Sequence, residues 1–278
     1  MTIPVRQAIS ADEARHFDTD KLRENFLVTD LFKQGEINLT YSHLDRTIVG
    51  GAVPGGTEME LKTSKPVGSD PFLKRREMGV FNIGGTGEVV LDGTSYVLNR
   101  TDCIYVPMGT ADVRFKSADA NDPAKFYIVS TPAHHAYPAK LITADDANKL
   151  DLGSDAECNK RVLRQYIHPD IAPSCQLLMG MTALEPGSVW NTMPCHIHDR
   201  RSELYLYFDM AEQTRVFHMM GEPNETRHLV VANEQAILSP GWSVHCGAGT
   251  ANYTFIWSMA GDNQDFTDMD FIAMEDLR

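Results

Sequence analysis

The sequence predicts a mainly β protein: a tandem duplication of one antiparallel β-sandwich or small barrel, with short helices. Three observations carry this. First, Ile9–Ala14 (Ile-Ser-Ala-Asp-Glu-Ala) returns as Ile142–Ala147 (Ile-Thr-Ala-Asp-Asp-Ala) at an offset of 133. Three further anchors follow in the same order: Val53-Pro54-Gly55 with Glu185-Pro186-Gly187, Arg75-Arg76-Glu77 with Arg200-Arg201-Ser202-Glu203, and Pro107 with Pro240. Second, most of the chain reads as short runs rich in Val, Ile, Tyr and Phe, punctuated by Gly, Asn and Asp. Third, 278 residues with 42% hydrophobic and 23% charged side chains suffice for two ordinary soluble domains. The anchors place the copies at 1–140 and 141–278.

Each copy opens with a helix-start signature. Ser10 with Glu13, and Thr143 with Asp146, have the spacing of an N-cap and its reciprocal acidic partner, so a short helix is expected at each place. Strands follow. Glu88–Leu98 brackets Asp92-Gly93, the pair favoured in a two-residue hairpin turn. In the second copy, 204–208, 228–231, 236–238 and 253–259 continue the pattern of short apolar strands. The acidic run 262–271 reads as a solvated closing segment without chemistry.

Charge narrows the function. Lys and Arg number 25 against 38 Asp and Glu, a formal net charge of −13, so no basic field is available for a polynucleotide or an anionic membrane. A small anionic substrate stays compatible with this balance, because screening over roughly 10 Å lets a local basic pocket act. Neither a signal-peptide run nor an apolar stretch of membrane-spanning length is found, which predicts a cytoplasmic protein. Cys103, Cys158, Cys175, Cys195 and Cys246 form no Cys-x-x-Cys pair and read as reduced thiols.

The chemistry concentrates in the second copy. On a strand, His196 and His198 leave the same face about 6.6 Å apart, while Ile197 points away. Glu203 follows across Asp199–Ser202, which suits a hairpin loop that returns a carboxylate to the two imidazoles. Pro240-Gly241 forms a turn ahead of a fourth candidate, His245, expected on a strand. Three nitrogens and one oxygen suit a mid-series divalent cation with room for water or substrate. The first copy is an internal control: Pro71 and Leu73 align with His196 and His198, Asp112 with His245, and Glu77 with Glu203. Histidines present in one copy only favour function over packing.

His-x-His, a Glu five residues after the second His, and a Pro five residues before a distant His resemble the two signature motifs of the cupin superfamily. The likeness is narrower still. The opening 1–7, the segment 191–208 (Asn-Thr-Met-Pro-Cys-His-Ile-His-Asp-Arg-Arg-Ser-Glu-Leu-Tyr-Leu-Tyr-Phe) and the segment 238–250 resemble the bacterial 5-keto-4-deoxyuronate isomerases, a bicupin family, over the whole chain. That resemblance implies one Zn²⁺ per chain held by His196, His198, Glu203 and His245, and a homo-oligomer, a hexamer. It also implies an aldose–ketose isomerisation of 5-dehydro-4-deoxy-D-glucuronate to 3-deoxy-D-glycero-2,5-hexodiulosonate, in breakdown of pectin and related uronate polymers. An Fe(II) cupin dioxygenase and a non-catalytic sugar-binding bicupin are the alternatives.

Such an isomerisation moves a proton between adjacent carbons, with the metal stabilising an enediolate and a general base shuttling the proton. Glu203 could double as the base; Glu185, Tyr166 and His168 are other candidates. For the substrate carboxylate, Arg161 and Arg164, in the basic cluster with Lys160, compete with a reading as a solvated face. Tyr166 and His168 are further substrate candidates. Arg200 and Arg201 recur as Arg75 and Arg76 in the copy without histidines, which favours a structural role. Cys195 and Cys246 are expected to face away from the ion as packed thiols, and Trp190, Tyr205 and Tyr207 to sit in the barrel wall.

Overall fold

The Asp92-Gly93 turn shows how local chemistry builds these sheets. Both residues take positive φ (47° and 87°), the conformation of a type I′ turn, and Leu91 pairs with Thr94 across it, so Gly87–Leu91 and Thr94–Leu98 form a tight hairpin. The computed structural model describes residues 3–278; Met1 and Thr2 of the opening motif lie outside the described residues.

The chain divides into two units, and each exchanges segments with the sequence of the other. One unit comprises the chain up to Arg6, Asp30–Asn148 and Tyr166–Leu178; the other comprises Gln7–Thr29, Lys149–Gln165 and Met179–Arg278. Each contains a seven-stranded and a four-stranded sheet.

In the first unit the larger sheet runs, in spatial order, Val5–Arg6, Ile37–Ser42, Ile48–Ala52, Phe126–Pro132, Arg76–Asn82, Cys103–Val106 and Lys140–Ile142. The smaller runs Met59–Glu60, Val113–Ser117, Gly87–Leu91 and Thr94–Leu98. The core draws on both sheets and is apolar throughout: Ile48, Met78, Val80, Ile104 and Ile128 pack with Val89, Leu91, Val113 and Phe115. Burying such side chains is worth about 1.5–3 kcal/mol each.

In the second unit the larger sheet runs Asn148–Leu152, Arg161–Ile167, Leu178–Leu184, Thr254–Gly261, Arg201–Phe208, Gln235–Ser239 and Leu27–Val28. The smaller runs Trp190–Asn191, Cys246–Gly249, Val216–Glu222 and Glu225–Val231, and Asp270–Phe271 pairs separately with His196–Ile197. The duplication thus survives as identical strand order. The interior differs, because Tyr205 and Tyr207 from the larger sheet face His218 from the smaller one, with ring centroids 5.5 and 5.9 Å apart.

The first helix forms as its cap predicts. Ala11–Ala14 starts at Ser10, whose hydroxyl accepts from Glu13 N–H at 3.3 Å while the Glu13 carboxylate accepts from Ser10 N–H. At the second site the same bonds form between Thr143 and Asp146, yet residues 144–147 make only a turn and the strand Asn148–Leu152 follows at once. One turn of capped chain does not outweigh the cost of helix nucleation when the next residues join a sheet. The longer helix Thr19–Phe26, capped by Asp18, buries Leu22 and Phe26 one turn apart; that i, i+4 pair was its signal.

Strand register corrects one internal alignment. Glu203 pairs with Ser239, the residue before Pro240; in the first unit the residue before Pro107 is Val106, which pairs with Met78. Met78, not Glu77, is therefore the counterpart of Glu203, because a one-residue slip sends a side chain to the other face. Glu77 lies on the opposite face. Its carboxylate accepts from the backbone N–H groups of Cys175, Gln176 and Leu177 at 2.7–3.0 Å and from the Tyr105 hydroxyl at 2.9 Å.

Candidate metal centre

Two strands and two loops bring the four candidates together. His196 sits on the two-residue strand against Phe271, and His198 follows, its backbone N–H donating to Gly241 O at 3.2 Å. Gly241 belongs to the Pro240 turn, closed by Ser243 N–H donating to Pro240 O, and this turn delivers His245 just before Cys246–Gly249 rather than on a strand. A Cβ at position 241 would lie 2.6 Å from His198 O and 3.0 Å from Arg201 O, so only glycine lets the two ligand loops touch. Glu203 projects from the middle of the larger sheet, between Ser239 and Met259.

The donor atoms of His196, His198, Glu203 and His245 all lie within 4.8 Å of one another, and among the described residues no other group of three or more His, Cys, Asp or Glu converges in this way. Glu203 Oε2 stands 2.9 Å from His245 Nε2 and 3.2 Å from His198 Nε2, and His245 Nε2 stands 3.0 Å from His196 Nε2. All four residues are buried, with exposures of 6, 1, 3 and 1%.

Outer partners set the tautomers. His198 Nδ1–H donates to Asp268 O at 2.6 Å and His245 Nδ1–H to Ser243 O at 3.2 Å, which leaves the Nε2 lone pair of each ring aimed at the carboxylate. Lone pairs facing an anion at about 3 Å in a buried site repel unless a cation lies between them. The donor set therefore fits a divalent metal ion. Burial first, and then His245, lowers the His196 pKa to about 2, so that ring is neutral and ready to ligate. Burial alone would raise the Glu203 pKa; with no ion between them, protons on Nε2 of the facing His245 and His198 take its place, outweigh burial and hold the carboxyl below the usual range. Tyr205 hydrogen-bonds Glu203, and burial followed by that carboxylate pushes its phenol well up.

The other sequence candidates are dispersed. Arg161 donates to Asn159 O at 2.8 Å, and Arg164 lies on the same strand, Arg161–Ile167. Tyr166 and His168 belong to the first unit, where the Tyr166 ring packs on Phe81 and His168 Nδ1 lies 3.6 Å from Asp170. Lys160 pairs with Asp155, and Glu185 sits exposed in the turn closed by Ser188. Trp190 pairs with Ala248 at the edge of the smaller sheet. Cys195 and Cys246 are packed with Val244, as expected of buried thiols. Arg200 is half-exposed and ion-paired with Asp268, which Arg200 and Asn263 hold down to a pKa of about 2.

Two features escaped the sequence. The tail 262–271 is no bystander: Asp268 O accepts from both His198 and Arg201, and the Phe271 ring lies 5.6 Å from His196. A backbone carbonyl carries the first role, so no residue type could advertise it. His218 is the second: fully buried, it joins Tyr207 O–H at 2.7 Å through Nδ1. Its inward parity on Val216–Glu222 was the available signal.

Comparison with known proteins shows the family and the fold. The model described as the KduI/IolB family matches residues 26–274. A protein of Halalkalibacterium halodurans named 4-deoxy-L-threo-5-hexosulose-uronate ketol-isomerase is 56% identical over 273 residues, 98% of this chain and 99% of its own. One of the same name from Lachnoclostridium phytofermentans is 55% identical over 99% of both chains. Among solved structures, an IolB-like protein from Salmonella typhimurium superposes with a TM-score of 0.72 at 16% identity, covering 89% of this chain and 97% of its own. An oxalate decarboxylase variant of B. subtilis gives 0.60 at 9% identity, over 87% and 78%. These two likenesses concern the fold alone, the two-sheet cupin sandwich expected from the sequence.

Proposed function

The chain belongs to the KduI/IolB family, and from that premise we propose that it is a 4-deoxy-L-threo-5-hexosulose-uronate ketol-isomerase. It converts 5-dehydro-4-deoxy-D-glucuronate to 3-deoxy-D-glycero-2,5-hexodiulosonate in the breakdown of pectin and related uronate polymers. The observation that carries the reading is the convergence of four buried donor atoms within 4.8 Å in one unit. We assign Zn²⁺ to that site, one ion per chain, held by His196, His198, Glu203 and His245. When bound, the ion supplies Lewis acidity at the carbonyl and hydroxyl oxygens of the substrate, favouring the enediolate that proton loss produces.

The chain's own residues do the rest. Asp268 O and Ser243 O lock His198 and His245 in the ligating tautomer. Glu203, ionised and braced by Tyr205, is the carboxylate at hand to take the proton from one carbon and return it to the next. Burial of all four ligands excludes the water that would scramble that proton.

The protein is assigned to the cytoplasm as a homo-oligomer, a hexamer by family resemblance. Thr94–Leu98 and Glu225–Val231 are edge strands carrying exposed Val97 and Val230, which association would cover. A clean monomer in sedimentation at micromolar concentration overturns the oligomer.

The deciding experiment couples elemental analysis of the purified protein to an assay on unsaturated-uronate breakdown products under strict anaerobiosis. About one Zn²⁺ per chain and undiminished turnover without oxygen are expected. Oxygen consumption tied to product would replace the isomerase by a dioxygenase, and two zinc equivalents per chain would contradict a single site.

A further inference from the structure

The duplication places one arginine at the same position in both units, and its surroundings differ. Two residues before Glu203 on its strand is Arg201; two before the matched Met78 is Arg76. Both are buried, at 2 and 5% exposure. Arg76 is provided for: its Nε–H donates to Ser130 Oγ at 3.1 Å, and its Nη2 group donates to Ser130 O and Arg46 O, each at 2.7 Å. Its pKa falls to about 10 through burial, as a guanidinium fixed by neutral acceptors should.

Arg201 lacks that provision. Ser130 pairs with Met78, and the residue that pairs with Glu203 at the equivalent place is Met259, so the hydroxyl acceptor is gone. Nη2 of Arg201 donates to Asp268 O at 2.9 Å and stands 3.1 Å from His198 Nδ1, but Nε and Nη1 are buried without a hydrogen-bond partner. Buried guanidinium donors left open are costly, and Arg201 leaves two open where Arg6, Arg161 and Arg164 each leave only Nε, so among these it has the most to gain from an arriving anion. The neighbouring Arg200 does not share this character, since it is half-exposed and ion-paired.

We propose that Arg201 is the residue that receives the substrate's carboxylate. The inference rests on the isomerase reading above and names the group that makes the enzyme specific for a uronate. Position supports the distal carboxylate rather than the reacting end. Arg201 touches His198 on the Nδ1 side, whereas the Nε2 edge faces Glu203, so an imidazole ring separates the guanidinium from the donor cluster. In a hexosulose-uronate the carboxylate occupies the end of the six-carbon chain opposite the aldehyde, which matches that separation. A charge-assisted hydrogen bond also explains the choice of Arg over Lys, whose ammonium lacks the planar donor array.

The test compares wild type, Arg201→Gln and Arg201→Lys as metal-loaded proteins, each given the keto-deoxyuronate and its neutral methyl ester. Elemental analysis follows zinc, and calorimetry titrates the equilibrated substrate–product mixture, so that binding is read without net turnover. For Arg201→Gln, KM and the apparent Kd for the uronate should rise about 100-fold with kcat within about threefold and zinc unchanged, the loss expected for a charged hydrogen bond. Arg201→Lys should fall between. Wild type should prefer the acid over the ester by the same factor, and Arg201→Gln should not discriminate, a coupling that a packing role cannot produce. The proposal is overturned if Arg201→Gln keeps the preference for the acid, or if both variants lose zinc together, which would make Arg201 a support for His198. A wild type inert toward the uronate removes the isomerase reading itself; a wild type that turns it over while Arg201→Gln behaves identically removes only the role of Arg201.

Discussion

Replacing Glu203 by Gln should cost stability without metal and cost more with it. In the metal-free protein the Glu203 carboxylate is buried, 3% exposed, with Nε2 of His245 and His198 at 2.9 and 3.2 Å. The facing rings outweigh the desolvation of the carboxylate and hold its pKa below the usual range, so the ionised form stabilises the fold and the isosteric neutral amide forfeits that contribution. Chelated Glu203→Gln should therefore melt below chelated wild type. Metal addition widens the gap. An ion present at about 1,000 times its Kd stabilises the folded state by about 4 kcal/mol; losing the only anionic ligand should weaken binding by about 100-fold or more, leaving about 1.4 kcal/mol. The difference of about 2.7 kcal/mol corresponds to about 5–10 °C less metal-induced rise in Tm for a unit of this size. Differential scanning calorimetry with chelator and with added Zn²⁺, alongside elemental analysis, measures both. Equal rises in Tm and equal zinc content for the two proteins would refute the assignment of Glu203 as a ligand.

The remaining predictions concern other residues. His245→Gln should lose zinc and isomerisation while keeping its fold, whereas Asp112→Asn, at the matching position of the first unit and ion-paired with Arg114, should leave both near wild type; the reverse outcome puts the active site in the wrong unit. Gly241→Ala forces a Cβ to 2.6 Å from His198 O, so about 1–3 kcal/mol of stability should be lost together with metal affinity, read by chemical denaturation and zinc titration; wild-type values in both would show that the loops do not touch. Burial, then His245, lowers the His218 pKa to about 3, so the unfolded chain takes up this proton first: stability is full above about pH 6.5 and falls from there toward pH 3, by about 2 kcal/mol at pH 5. His218→Gln, measured in chelator, should flatten that slope by one proton; an unchanged slope would mean that His218 is protonated in the fold.

The sequence by itself determined the class of fold, the duplication and the four residues whose donor atoms converge. Each rests on a periodicity or a spacing: alternation along 204–208, the Asp92-Gly93 turn, and the one-residue gap between His196 and His198 that keeps both rings on one side. Such features are local, and backbone geometry of one or two residues is enough to read them. What only the tertiary structure decided depends on contacts between distant segments. The pairing of Glu203 with Ser239 and of Met78 with Val106 showed that Glu77 faces the other way, a matter of strand register. The carbonyl of Asp268, 70 residues beyond His198, fixes its tautomer, and a carbonyl is common to every residue. Arg76 and Arg201 are the same letter in the sequence; one is satisfied by Ser130 and the other is left open because Met259 stands in the matching place. A side chain's chemistry is written in its identity, but whether its hydrogen bonds are filled is settled by the strands that pack beside it.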